Sequence, residues 1–225
     1  MSPVVEIVSA TRLSAEEFGS SPLGVSLARM ARDPRLVPHV VFENHDGLSA
    51  VYNERIESPD AADVLIFIHD DVWIEDYFFV DRVLEGLSRF DVVGLAGDSR
   101  RVPGQRSWLN SPLTQQPDHP HLRGAAANGD APLAPVRFFG PNAAECELLD
   151  GVLLAARKAT LVERHVTFDP QFDFHFYDLD FSRTARRAGL RLGVWPISVT
   201  HRSGGAFGSP AFKENGLRYF AKWGD

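Results

Sequence analysis

Two adjacent carboxylates beside an imidazole, His69-Asp70-Asp71, follow directly on the apolar run Val64-Leu65-Ile66-Phe67-Ile68. Unpaired carboxylates about 4 Å apart repel by roughly 4 kcal/mol at an effective dielectric near 20. A divalent cation removes that penalty, and oxygen ligands suit Mg²⁺ or Mn²⁺. A solvated turn or a helix N-cap is the plainer use of the same residues, since Asp is common in both. A second polar group stands at the edges of later elements: Asp150, Asp178, Asp180 and His201. Asp178 opens a helical pattern, where the helix dipole favours a carboxylate. His201 ends a strand-like run and precedes Arg202-Ser203-Gly204-Gly205. It could complete a site begun by Asp71. Both residues end strands, and the strands of a parallel sheet present their carboxyl ends on one edge, where ligands bind. Asp71 and His201 are therefore expected to converge on one cation site.

The elements that must position these groups alternate between strand and helix. The run at 64–68, largely β-branched or aromatic, reads as a strand buried on both faces. Residues 4–8, 39–43 and 92–96 read as further strands. Ser21-Pro22 starts a helix carrying Leu23, Leu27 and Met30 at helical spacing. Residues 48–56 form a second helix, and Phe79, Val83 and Leu87 mark a third. This order predicts an α/β fold with a largely parallel sheet. From 97 to 142 the pattern dissolves into a segment rich in Pro, Gly, Asn and Gln, with Trp108 as its one large anchor. Loops this long are usually functional or disordered, and the segment is expected to border the site as a lid or acceptor-facing loop. Order returns with a strand at 151–156, a short helix at 158–164 and a better one at 178–188, which Gly189 would cap. Strands at 191–195 and 197–201 and an amphipathic segment at 215–223 follow.

Composition narrows the classes. The chain has 225 residues, 44% hydrophobic and 24% charged, which suits one soluble domain spanning 1–225. A net charge of −7 argues against a general nucleic-acid binder. The lone Cys146 rules out an internal disulfide and suggests a reducing compartment. No apolar stretch approaches the roughly 18 residues that span a bilayer, and the early first strand leaves no room for a signal segment. The expected location is the cytoplasm, with peripheral docking on a membrane compatible with it.

Phe176-Tyr177-Asp178-Leu179-Asp180-Phe181, Arg183, Ala185-Arg186-Arg187-Ala188-Gly189, Trp195-Pro196 and His201 together resemble the C-terminal signature of the family-2 glycosyltransferases of the GT-A fold. Gly47-Leu48-Ser49-Ala50-Val51-Tyr52-Asn53 resembles the helix before the family's metal strand. Phe67-Ile68-His69-Asp70-Asp71-Val72 resembles the DxD region, and the block from Leu149-Asp150-Gly151 to Arg157 resembles the acceptor-side strand. The blocks fall in the family's order.

The resemblance implies a GT-A Rossmann-like fold and transfer of a sugar from a nucleotide-diphosphate sugar, with a UDP-sugar the favoured donor. The acceptor would be a glycan, lipid-linked or protein-linked hydroxyl, attacked with inversion. Asp71 and His201 would bind Mn²⁺ or Mg²⁺, and Asp178 would be the general base. Ala10, Glu43, Asn44, Asn53, His69 and Asp70 would border the donor, and Asp150, Gly151 and Asp180 the acceptor. The chain departs from the family pattern at three points. His69 stands where the first DxD acid is usual, and Tyr177 stands where Glu precedes the base. The β-α unit after the second strand is missing, which removes part of the usual nucleobase surface. Two other functions fit some of the same residues. One is a non-catalytic domain that binds a nucleotide-sugar or a partner. The other is a non-haem iron oxygenase using His69, Asp71 and His201 as a two-histidine, one-carboxylate set, although β-α alternation is foreign to its usual antiparallel fold.

Overall fold

A computed structural model describes residues 3–202 and 208–225; Ser203, Gly204 and Gly205, which follow His201 and Arg202, lie outside them. In chain order the first half comprises β1 (Val5–Ala10), α1 (Ala15–Phe18), α2 (Pro22–Met30), β2 (Leu36–Val41), α3 (Leu48–Glu57), β3 (Val64–Ile68), β4 (Val72–Ile74), α4 (Phe79–Gly86), β5 (Val92–Gly94) and β6 (Ala96–Asp98). The second half comprises β7 (Leu122–Asn128), β8 (Val136–Phe138), β9 (Ala144–Cys146), β10 (Leu148–Leu149), β11 (Leu153–Arg157), α5 (Lys158–Glu163), α6 (Tyr177–Arg187), β12 (Leu192–Val194), β13 (Val199–His201) and α7 (Pro210–Trp223).

The main sheet has the order β2-β1-β3-β11-β5-β12-β9. Strands β2, β1, β3, β5 and β12 run one way, and β11 and β9 run against them. β3 is central and every residue in it is buried. Its alternation splits the side chains between two cores: Leu65 and Phe67 pack on one face with Tyr52, Phe168 and Phe181, while Val64, Ile66 and Ile68 pack on the other with Leu23, Phe79 and Val83. Two buried faces are why the run lacks polar alternation. α2 starts where the sequence places it: the Ser21 side chain accepts from the Gly24 N–H at 3.1 Å, and Pro22 occupies the first turn.

A second sheet, β10-β6-β7-β13-β4 with β8 on β7, carries the site's other half. Here the structure departs from the sequence reading. The strand expected at 92–96 is two strands, β5 in the main sheet and β6 in the second. The irregular segment holds β7 and β8. β7 has no strand-like pattern in the sequence because Gly124-Ala125-Ala126-Ala127 gives little hydrophobic contrast. Gly124 has φ 86°, and a Cβ there would collide with the Leu95 carbonyl. Trp108 is buried and meets Phe139 edge-on at 5.0 Å between ring centres. β2 lies earlier than expected, with Pro38 tolerated because the strand is at the sheet edge. α7 begins at Pro210, ahead of the expected Asn215, because Ser209 caps it through the Phe212 N–H.

Candidate functional site

Asp71 follows β3 and immediately precedes β4. β13 pairs antiparallel with β4 and sets His201 opposite Val72, while the Arg202 N–H donates to the Asp71 carbonyl at 2.9 Å. This pairing, not the edge of one parallel sheet, brings Asp71 and His201 together. His201 Nε2 lies 3.2 Å from Asp71 Oδ1, and His69 Nδ1 lies 4.0 Å from the same oxygen. The three ligand atoms fall within 4.8 Å of one another. Asp71 Oδ1 and His201 Nε2, both buried, face each other at 3.2 Å without hydrogen-bond geometry, and neither has another hydrogen-bond partner. Buried polar atoms are normally paired. Adjacent ligands of an octahedral cation at about 2.1 Å sit roughly 3 Å apart, so this orphaned pair fits a shared divalent ion. The His-Asp-His donor set, two imidazoles and one carboxylate, suits a transition-metal cation better than a purely oxygen-seeking one.

The protonation states agree with ligation. Burial, reinforced by the neighbouring His201, pushes the His69 pKa down to about 4, so its imidazole is neutral at pH 7. Burial would raise Asp71, but the proximity of His201 and His69 outweighs it and holds the carboxyl below the usual value. Asp70 goes the other way, raised by burial, with a hydrogen bond from Thr11 only partly offsetting that.

Asp178 reaches the site from the first turn of α6. Phe176, which precedes that helix, is buried and sits in the left-handed region at φ 66°, an uncommon conformation for a bulky residue. That turn delivers Tyr177 and Asp178 to Gly151. Asp178 Oδ2 accepts the Gly151 N–H at 3.2 Å, and Tyr177 Oη donates to the Gly151 carbonyl at 2.7 Å. A Cβ on Gly151 would overlap the Tyr177 hydroxyl and come within 2.8 Å of Asp178 Cβ. Burial, then the charge of Asp150, pushes the Asp178 pKa up to about 7. Asp150 is itself raised by burial. A carboxyl poised near neutrality is a competent proton acceptor.

Two clefts meet here. His69, Trp108, Asp150, Gly151, Asp178 and His201 are among the residues lining a cavity of about 110 Å³. Beside it lies a cleft of about 530 Å³, whose walls include Ala10, Thr11, Asn44, Asp70 and Asp173. Phe174 borders both and stacks on His69 at 5.8 Å. Arg106, Ser107 and Trp108 bring the 97–142 segment to the smaller cavity.

Three residues expected at the site are not brought to it. The Asn53 amide is consumed by the Phe168 backbone, donating to its carbonyl at 2.7 Å and accepting its N–H at 2.8 Å. Asp180 is fully buried against α7, bonded to Lys222 Nζ at 2.8 Å and Trp223 Nε1 at 2.8 Å. Residues two apart on a helix face different ways, so Asp178 and Asp180 cannot share one cleft. Glu43 is exposed in the turn after β2 at φ 48° and lines neither cleft. Conversely, the sequence reading gave no role to Thr11 or Phe174, took Trp108 only as the anchor of the 97–142 segment and Tyr177 only as a departure from the family pattern, and placed His69 with the donor, giving it to a metal only in the oxygenase alternative.

The fold is the GT-A fold, shared with several solved glycosyltransferase structures. Among solved structures, GalNAc-T7 with UDP, GalNAc and Mn²⁺ matches at a TM-score of 0.53, with 12% identity over 97% of this chain and 48% of that one. Mannosyltransferase PcManGT from Pyrobaculum calidifontis, in complex with GDP-Man and Mn²⁺, matches at 0.51, with 16% identity over 98% and 64%. S. aureus TarS in complex with UDP matches at 0.50, with 13% identity over 97% and 64%. The chain thus spans about half to two thirds of these structures. No model of a known family matches the sequence, and no curated protein matches it. Among the described residues no helix is long and apolar enough to cross a membrane.

Proposed function

We propose that this chain transfers a sugar from a nucleotide-diphosphate sugar, a UDP-sugar in the first instance, to an acceptor hydroxyl with inversion at the anomeric carbon. The observation that carries the reading is the His69-Asp71-His201 cluster, set beside a larger cleft and a smaller cavity that holds Asp178. The nucleoside would occupy the cleft lined by Ala10, Asn44 and Asp70, and the sugar would point into the cavity. His69, Asp71 and His201 would hold Mn²⁺ or Mg²⁺, which when bound neutralises charge on the departing diphosphate. Asp178 takes the proton of the acceptor hydroxyl, which Asp150 helps to hold. Trp108 and Phe174 wall the cavity. The GT-A neighbours solved with UDP or GDP-mannose, two of them with Mn²⁺, support this class of donor.

The test is release of nucleoside diphosphate from a panel of UDP- and GDP-sugars, with Mn²⁺ and with chelator, for wild type and Asp71→Asn. Metal-dependent release that the variant lacks is the expected result. Binding without release would favour a non-catalytic domain. The same triad is also a two-histidine, one-carboxylate set, so turnover that requires iron and 2-oxoglutarate would favour an oxygenase.

A further inference from the structure

The hydroxyl of Tyr177 stands between two groups that fix its single hydrogen. It lies 2.7 Å from the Gly151 carbonyl, which can only accept, and 2.8 Å from His69 Nε2. The hydrogen goes to the carbonyl, so the phenol oxygen is left as an acceptor facing the imidazole. His69 must then carry its proton on Nε2 and donate it to Tyr177. Its other nitrogen, Nδ1, keeps a lone pair directed at the side where Asp71 Oδ1 lies 4.0 Å away. That distance is too long for an Nδ1–H hydrogen bond, so the opposite tautomer would leave both the Gly151 carbonyl and the Nδ1 proton without a partner. The ring is also held in orientation by Phe174, stacked at 5.8 Å and 27°.

We propose that Tyr177 is a positioning residue, which through Gly151 locks His69 in the Nε2-protonated form and so makes Nδ1 the third cation ligand beside Asp71 and His201. The inference rests on the metal-dependent reading above and deepens it. Gly151 thereby serves both halves of the site, its carbonyl through Tyr177 to His69 and its N–H to Asp178. Partners that orient a ligating histidine typically contribute 10–100-fold in metal affinity.

The experiment compares full-length wild type, Tyr177→Phe and Tyr52→Phe. Tyr52 is the control: it is a buried tyrosine of the same aromatic cluster, 6.1 Å from the Tyr177 ring, and its hydroxyl has no hydrogen-bond partner. Mn²⁺ affinity is read by electron paramagnetic resonance titration, and pulsed measurements count the imidazole nitrogens coupled to the ion. Tyr177→Phe is expected to bind Mn²⁺ about 10–100-fold more weakly and to lose one of two imidazole couplings, with Tyr52→Phe unchanged. Histidine-selective NMR of the metal-free wild type is expected to show His69 protonated on Nε2, and this readout decides alone should Tyr177→Phe not fold. A wild type that binds Mn²⁺ while His69 is protonated on Nδ1 overturns this proposal and leaves the transferase reading standing. Wild-type affinity and both couplings in Tyr177→Phe overturn it likewise. A wild type that binds no Mn²⁺ overturns the metal reading and this proposal together.

Discussion

Replacing Asp178 by Asn should remove activity and at the same time stabilise the metal-free protein. The carboxyl is moved from the ordinary 3.8 to about 7, first by burial and then by Asp150. At about 1.36 kcal/mol per tenfold change in proton affinity, that shift sets a ceiling of about 4 kcal/mol. Asp178 is half-buried, and solvent screening reduces the expected effect to roughly 2 kcal/mol. The sign follows from linkage. Below the unfolded pKa both states are protonated and the full stability is present. As pH rises towards 7 the unfolded chain ionises first, so stability is lost up to about pH 7 and then levels off. Asn does not titrate and can still accept the Gly151 N–H. The variant should therefore melt with wild type near pH 4 and about 4–8 °C above it at pH 8, at roughly 2–4 °C per kcal/mol for a chain of this size. Thermal melts across that range in chelator give the answer. A gap that does not change with pH, or a variant less stable at pH 8, would refute the assignment of a strained carboxylate. In single-turnover assays with a working donor and acceptor, the same variant should lose about 10²–10⁴-fold in rate with donor affinity nearly intact.

Wild-type transfer should rise with pH through about 7 as Asp178 ionises, and a rate that falls over that interval would exclude it as the base. Gly151→Ala should displace both Tyr177 and Asp178 and abolish turnover, read alongside circular dichroism to confirm the fold. Asp180→Asn should cost about 1.5–3 kcal/mol by weakening the charged bonds to Lys222 and Trp223; urea unfolding measures this, and the donor KM of the folded fraction should not move. His201→Ala should remove the Mn²⁺-dependent rise in Tm, which in wild type corresponds to about 2.7 kcal/mol at a hundredfold excess over Kd.

The parts of this fold legible in the sequence are those with strong local signals. β3 is an unbroken apolar run, α2 carries its Ser-Pro start, and α6 shows an acidic first turn and a Gly stop. The second sheet was not legible, because β7 offers little hydrophobic contrast and its partners β6 and β13 come from distant parts of the chain. The convergence of Asp71 and His201 was expected, but for a reason that does not hold: an antiparallel β4-β13 contact creates it. Asn53 and Asp180 show the limit of reading residue type alone. Each is polar and near the motif, yet the Phe168 backbone in one case and α7 in the other takes up its hydrogen bonds. Two of the three departures from the family pattern, His69 and Tyr177, are in contact at 2.8 Å, a pairing that only three-dimensional structure displays.

The proposed activity requires a nucleoside diphosphate to bind through a cation held by His69, Asp71 and His201. Calorimetric titration of UDP into the wild-type protein, with saturating Mn²⁺ and then with chelator, measures that dependence. Binding with Mn²⁺ that is lost in chelator and in Asp71→Asn is the expected result. UDP binding of equal strength in all three conditions, or in none, would contradict it.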